Sequence, residues 1–261
     1  MLLPLLIFAA AAQAGSGGQV VWHWDKDDPG CSLEQQTEGG SAVAISRAPG
    51  QDATLVGFTV RSPKFWKGLY EDGSIILSSG ASFPATIQVY SAQNRQYRLV
   101  ATVTDPQFAK DLAGSTTVTF AHPDFGKFSV SPSKLGAAVT AVRSCEDAKM
   151  RDWGIDVGAY WALASRPRPI GHLVDLFNSD NYPAVAAMAA MERNVIATVE
   201  VGTNGRIGSC SAPGHFAYPQ FVSSVCNVLR KGARFEPARD SEGKAVAAPY
   251  VVLVSFRLRG S

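Results

Sequence analysis

The chain lacks the short patterns that announce common catalytic sites. It contains no Gly-x-Ser-x-Gly, no His-Glu-x-x-His and no phosphate-binding glycine loop, so it offers no hydrolase elbow, zinc-protease helix or nucleotide cradle. Its histidines, at 23, 122, 172 and 215, do not pair at ligand spacing, and no Cys-x-x-Cys is present; no metal and no cofactor is implied. Charge of one sign is also missing: Lys and Arg total 24 against 22 Asp and Glu, a net charge of +2, which excludes a polybasic nucleic-acid binder or membrane-surface binder. No apolar run reaches the ~20 helical residues that a bilayer core requires. The longest, Leu2 to Ala12, sits at the extreme N-terminus.

What is present begins with that run. Ala12-Gln13-Ala14 supplies small residues where a signal peptidase reads, so residues 1–14 read as a cleaved export signal and Gly15 as the mature N-terminus. The α-amino group of Met1 stands in for the missing basic residues of such a signal. With 261 residues and 46% hydrophobic content, the chain is long enough for two domains, each with its own core.

From Val20 to about Val130 the sequence reads as short strands divided by turns. Leu55–Val60, Ile75–Leu77, Thr86–Tyr90, Tyr97–Val103 and Thr116–Phe120 are rich in β-branched and aromatic residues. Arg61-Ser62-Pro63, Glu71-Asp72-Gly73, Ser78-Ser79-Gly80 and Asn94-Arg95 supply turn chemistry between them. The expectation is a β-rich domain over 15–163, a sandwich or a curled sheet, ending in a helix that Ser133 caps and that runs past Cys145 to Met150. A linker follows at 164–171, where two prolines and a glycine in Arg166-Pro167-Arg168-Pro169-Ile170-Gly171 deny regular structure, and a second domain occupies 172–261.

Three features of the first domain imitate sites. Alternation in Trp22-His23-Trp24 places both tryptophans in the core and the histidine outside, against a reading as a sugar or cation site. Asp25, Asp27 and Asp28 lack the later ligands of a calcium loop and read as a solvated acidic turn. Ser131-Pro132-Ser133-Lys134 and Ser179-Asp180-Asn181 match two of the three signatures of serine β-lactamases, but Lys-Thr-Gly is missing, so a hydrolase using Ser131 and Lys134 is only a remote alternative.

The last third is the most regular. Val195, Ala197, Val199 and Val201 alternate with Ile196, Thr198 and Glu200, and Asn204-Gly205 follows as the turn of a hairpin. Phe221, Val222, Val225, Cys226 and Leu229 recur at helical spacing, with Pro219 in the first turn and Gly232 as the stop. After Arg234-Phe235-Glu236-Pro237-Ala238 and a turn at Gly243, Tyr250, Val252, Val254, Phe256 and Leu258 alternate with Val251, Leu253, Ser255 and Arg257 in a closing strand.

Tyr182-Pro183, Gly205, Arg234-Phe235-Glu236-Pro237-Ala238, Gly243 and the final Phe256-Arg257-Leu258 together resemble the C-terminal domain of the TonB family of energy transducers. That resemblance implies an α+β fold, a short antiparallel sheet with helices, behind the β-rich N-terminal domain. It implies a periplasmic binding protein of a Gram-negative envelope rather than an enzyme. The partner would be a protein or peptide, such as an outer-membrane transporter, that adds an extended segment to an open sheet edge. The edge expected to take it is the final strand: Val251, Val252, Leu253, Val254, Ser255, Phe256 and Arg257. The alternative is an envelope scaffold whose edge is occupied by its own N-terminal domain or by a second copy in a homodimer. The stretch from Ser211 to Pro219 departs from the family pattern, as do the cysteines at 210 and 226.

An even number of cysteines in an exported chain argues for disulfides. Cys210, just after the hairpin, and Cys226, on the helix, lie in one domain and are expected to pair, which leaves Cys31 with Cys145. The latter bridge closes most of the first domain and constrains its unfolded chain by about 4–5 kcal/mol in the loop-entropy account.

Overall fold

The computed structural model describes residues 22–24, 30–36, 42–61, 70–91, 96–123, 126–214 and 218–258. The expected export signal at 1–14 and the expected acidic turn at Asp25, Asp27 and Asp28 lie outside the described residues. The fold is α+β, a sheet-rich N-terminal part followed by short sheets and helices, and it divides into two compact units between Glu146 and Asp147.

The first unit is built on one sheet. Its strands are β1 (His23–Trp24), β2 (Cys31–Gln36), β3 (Ala42–Arg47), β4 (Thr54–Arg61), β5 (Tyr70–Leu77), β6 (Ser82–Ser91), β7 (Gln96–Val103), β8 (Val118–His122) and β9 (Gly126–Val130). Helix α1 (Phe108–Ala113) precedes β8, and α2 (Leu135–Asp152) follows β9. All neighbouring strands pair antiparallel, in the order β1-β2-β3-β4-β7-β6-β5-β8-β9.

The sheet is curled. Between β4 and β8 lie β7, β6 and β5, which would separate them by about 19 Å in a flat sheet at ~4.8 Å per strand. Yet the rings of Phe58 on β4 and Phe120 on β8 meet edge to face, with centroids 6.1 Å apart. The enclosed core also takes Phe108 and Leu112 from α1 and Leu135, Val139 and Val142 from α2, so the helices plug the concave side.

Two adjacent links tie α2 to the sheet. Cys31 is bonded to Cys145, as expected from the sequence. Next to it, Arg47 Nε donates to Glu146 Oε2 at 2.8 Å, with both side chains buried. The remaining polar atoms are satisfied locally: Arg47 also donates to Thr54 Oγ1 and to the Gln51 carbonyl, and the Gly50 N–H donates to Glu146 Oε1. The start of α2 is held by β2, where Gln35 Oε1 accepts from the Ser133 N–H and Gln35 Nε2 donates to Ser133 Oγ.

Two expectations fail in this unit. Glu71-Asp72-Gly73 lies inside β5, paired with Ala85, Thr86 and Ile87 of β6, rather than in a turn. Trp22 packs partly against the core and donates Nε1–H to the Ser133 carbonyl, but Trp24 is 45% exposed rather than buried. Strand β1 is two residues long and terminal in the sheet, so alternation along it has no second face to bury.

The second unit holds α3 (Val157–Trp161), β10 (Arg168–Pro169), α4 (Ala184–Met188), β11 (Arg193–Val201), β12 (Ile207–Ser211), α5 (Pro219–Gly232), β13 (Phe235–Glu236), β14 (Ala238–Arg239), β15 (Ala245–Val246) and β16 (Ala248–Phe256). Its central sheet has the order β12-β11-β16. Pro219 occupies the first turn of α5, where its missing N–H is no loss. One face of the sheet, carrying Val195, Ala197, Val199, Val252 and Phe256, packs against Phe221, Val225 and Leu229 of α5. The other face, carrying Ile196 and Val251, is covered by Met150 of α2 and by Ile155, Val157 and Tyr160. The sheet is therefore a middle layer. The stretch 164–171 is paired as well: Ser165 exchanges hydrogen bonds with Arg239, and β10 pairs with β13.

Candidate functional site

The three-stranded sheet of the second unit has two outer strands, and they differ. Strand β12 meets β11 in a broken register: Val199 lies opposite Cys210, but Val201 lies opposite Ile207, so an extra residue bulges from β12. Cys210 of that strand is bonded to Cys226 of α5, the pairing expected from the sequence. Bulging and covalent anchorage are ways in which a sheet edge is blunted against further pairing.

Strand β16 has neither device. Its register with β11 runs unbroken from Arg193 opposite Phe256 to Val201 opposite Ala248. Among the described residues β16 pairs with no strand other than β11. It carries no charged side chain from Ala248 to Phe256.

The expected binding residues all fall on this strand or just after it. Val251, Val252 and Phe256 are buried, while Leu253, Val254 and Ser255 are half-buried. Val252 and Phe256 face α5, and Val251 and Leu253 face the Met150–Tyr160 layer. Polar groups gather at the far end: Ser255 Oγ and Arg257 both donate to Asn194 Oδ1, and the Leu258 N–H donates to Glu192 Oε1.

The motif residues build the frame that holds β16. The Tyr182 ring packs edge to face on Phe221 and on Phe256, with centroids 5.9 Å and 5.4 Å away, and its hydroxyl donates to the Met191 carbonyl. Burial, helped by the Glu192 carboxylate, pushes that phenol above its ordinary pKa, so it stays a hydrogen-bond donor. Pro183 immediately precedes α4.

Gly205 has φ 72°, and a Cβ placed there would sit 2.1 Å from the Phe235 carbonyl oxygen; the Phe235 N–H donates to the Gly205 carbonyl. Phe235 in turn stacks edge to face on Tyr250 of β16. Arg234 donates to the Ala233 carbonyl, Pro237 separates β13 from β14, and Ala238 is buried opposite Val246. Gly243, at φ 78°, closes the turn between β14 and β15. The spacing of these motif residues thus builds a packing frame around the last strand, and that frame contains no nucleophile–base pair.

The hydrolase imitation is not assembled. Ser131 shares a hydrogen bond with Thr117 Oγ1 rather than with Lys134, and Lys134 stands just before α2 with φ 53°. Ser179-Asp180-Asn181 forms a 3-10 turn closed by Asn178, in the other compact unit. No group of His, Cys, Asp and Glu suited to a metal ion occurs among the described residues.

The layer over the second face of the sheet was missed by reading the sequence. Its signal was there: Val251 and Leu253 are apolar like their neighbours Val252 and Val254, and an apolar run on alternate and intervening positions marks a strand covered on both faces.

Comparison with known families agrees with this frame. Residues 178–258 match the family model described as Gram-negative bacterial TonB protein C-terminal. The match includes β16 and every motif residue above, and it begins after the covering layer at 150–160. No curated protein matches the chain. No helix among the described residues is long and apolar enough to cross a membrane.

Proposed function

We propose that this protein is an exported binding module of the Gram-negative envelope that takes an extended segment of a partner protein onto the outer edge of β16. The partner class that the family resemblance favours is an outer-membrane transporter. Binding, not catalysis, is the activity, and the functional unit begins at Asp147 with the layer that covers the sheet.

The observation that carries this reading is the contrast between the two outer strands. Strand β12 is bulged and bridged to α5, whereas β16 keeps an unbroken register and an uncharged length. Added strands gain main-chain hydrogen bonds along such a length, and side-chain pockets select among sequences.

The test is photocrosslinking in the periplasm from the full chain with p-benzoylphenylalanine in place of Leu253, and separately in place of Ile207 on β12. Mapped adducts at an extended segment of an envelope protein from position 253, and none from 207, are expected. Adducts confined to position 207, or only to a second copy of this chain, would overturn the reading.

A further inference from the structure

Along an antiparallel strand, the N–H and C=O of one residue point to the same side, and successive residues alternate. Which set of β16 faces outward is fixed by three backbone features. Pro249 lies within the unbroken β11–β16 ladder, opposite Glu200, and a proline is accommodated only where its nitrogen faces away from the neighbouring strand. Gly202 donates its N–H to the Arg206 carbonyl, toward β12, so by alternation the odd-numbered residues of β11 address β16. Their partners there are Ala248, Tyr250, Val252, Val254 and Phe256. Leu258, of the same parity, turns its N–H to Glu192, at the β11 end of the sheet. Even-numbered residues of β16 hold the sheet, and the backbone groups of Leu253 and Ser255 face its outer edge.

We propose that β16 reads its partner through the backbone N–H and C=O of Leu253 and Ser255, and that the partner segment carries an apolar side chain opposite Leu253 and a carboxylate opposite Arg257. This rests on the strand-addition reading. Residues directly opposite each other in adjacent strands project to the same face. A side chain opposite Leu253 therefore lands on the face of Met150 and Tyr160, where Leu253 itself packs. Farther along that face the apolar surface gives way to Asn194, Ser255 and the guanidinium of Arg257. A guanidinium at the end of an otherwise uncharged strand selects an anion at the matching position.

The experiment has two arms on the full chain. In the first, amide exchange is followed residue by residue, and Leu253→Pro and Val254→Pro are melted. Fast exchange at 253 and 255 with protection at 252 and 254 is expected, with cooperative melting retained in Leu253→Pro and lost in Val254→Pro. The opposite pattern, or equal behaviour of the two variants, overturns the register.

In the second arm, a displayed library of random nonapeptides is selected on the immobilised chain. Recovered peptides are expected to share an apolar residue and an acidic residue at the spacing of 253 and 257. They are expected to lose about ten- to a hundredfold in affinity on Leu253→Pro, which removes one outward donor, and to lose their acidic preference on Arg257→Gln. Peptides that bind Leu253→Pro as tightly as the unsubstituted chain contradict the proposal. An intact register with no peptide recovered overturns the strand-addition reading itself, so the two failures are distinguishable.

Discussion

Cys31 and Arg47 lie opposite each other across the β2–β3 ladder, and their partners, Cys145 and Glu146, are consecutive residues of α2. One covalent and one ionic link thus meet the same turn of the helix. A buried ion pair is costly to leave half-made, because the surviving charge has no water to turn to. Glu146→Leu and Arg47→Met should each lower stability by about 3–5 kcal/mol. The double variant should lose much less than the sum, as read by urea unfolding in a double-mutant cycle.

The same pair gives a pH signature. Burial raises the Glu146 carboxyl above its ordinary pKa, and the lowering effects of Arg47, of the Gly50 N–H and of Arg143 do not fully offset it. A raised folded-state pKa means that the contribution of Glu146 is full below the ordinary glutamate value and is lost as pH rises through the raised one. The melting temperature of the native chain should therefore fall relative to that of Glu146→Gln across that interval. Parallel pH profiles for the two proteins would contradict this.

Gly205 and Gly243 separate two causes of glycine preference. Both have positive φ, but a Cβ at Gly205 meets the Phe235 carbonyl at 2.1 Å, whereas at Gly243 nothing lies within 4 Å. Gly243→Ala should cost about 1 kcal/mol, the left-handed strain alone. Gly205→Ala should cost more, about 3 kcal/mol or above, since the β13 backbone must move. Thermal melts of the two variants decide it.

The covering layer is tested by truncation. A fragment of residues 147–261 retains Met150, Ile155, Val157 and Tyr160 over Ile196 and Val251, and one of residues 172–261 exposes that face. At about 1.5–3 kcal/mol per large apolar side chain uncovered, the shorter fragment should bind a hydrophobic dye and lose cooperative melting. The longer one should melt cooperatively. Equal stability of the two would remove the layer from the functional unit.

The order of elements from Tyr182 to Phe256 was legible because each carries a local signal: Asn204-Gly205 for the hairpin, Pro219 and Gly232 for the ends of α5, alternation for β11. The disulfides were legible because Cys210 and Cys226 fall on neighbouring elements of that order. Long-range facts were not. Nothing local in Phe58 and Phe120 says that their strands curl until the rings touch, and nothing in Arg47 names Glu146 as its partner. Trp24 misled because alternation reports a buried face only where the strand is long enough to have two. In Arg168-Pro169 two prolines nearby hid a segment whose pairing with β13 comes from tertiary contact, not from propensity.

The central claim, that β16 accepts a partner strand, is tested most directly by amide hydrogen exchange on the full chain, alone and saturated with the peptide mapped by the position-253 crosslink. The account predicts that the amides of Leu253 and Ser255 slow on binding while those of Val252 and Val254, already committed to β11, do not change. Protection appearing on β12 or on the helices instead, with Leu253 and Ser255 exchanging as in the free protein, would contradict it.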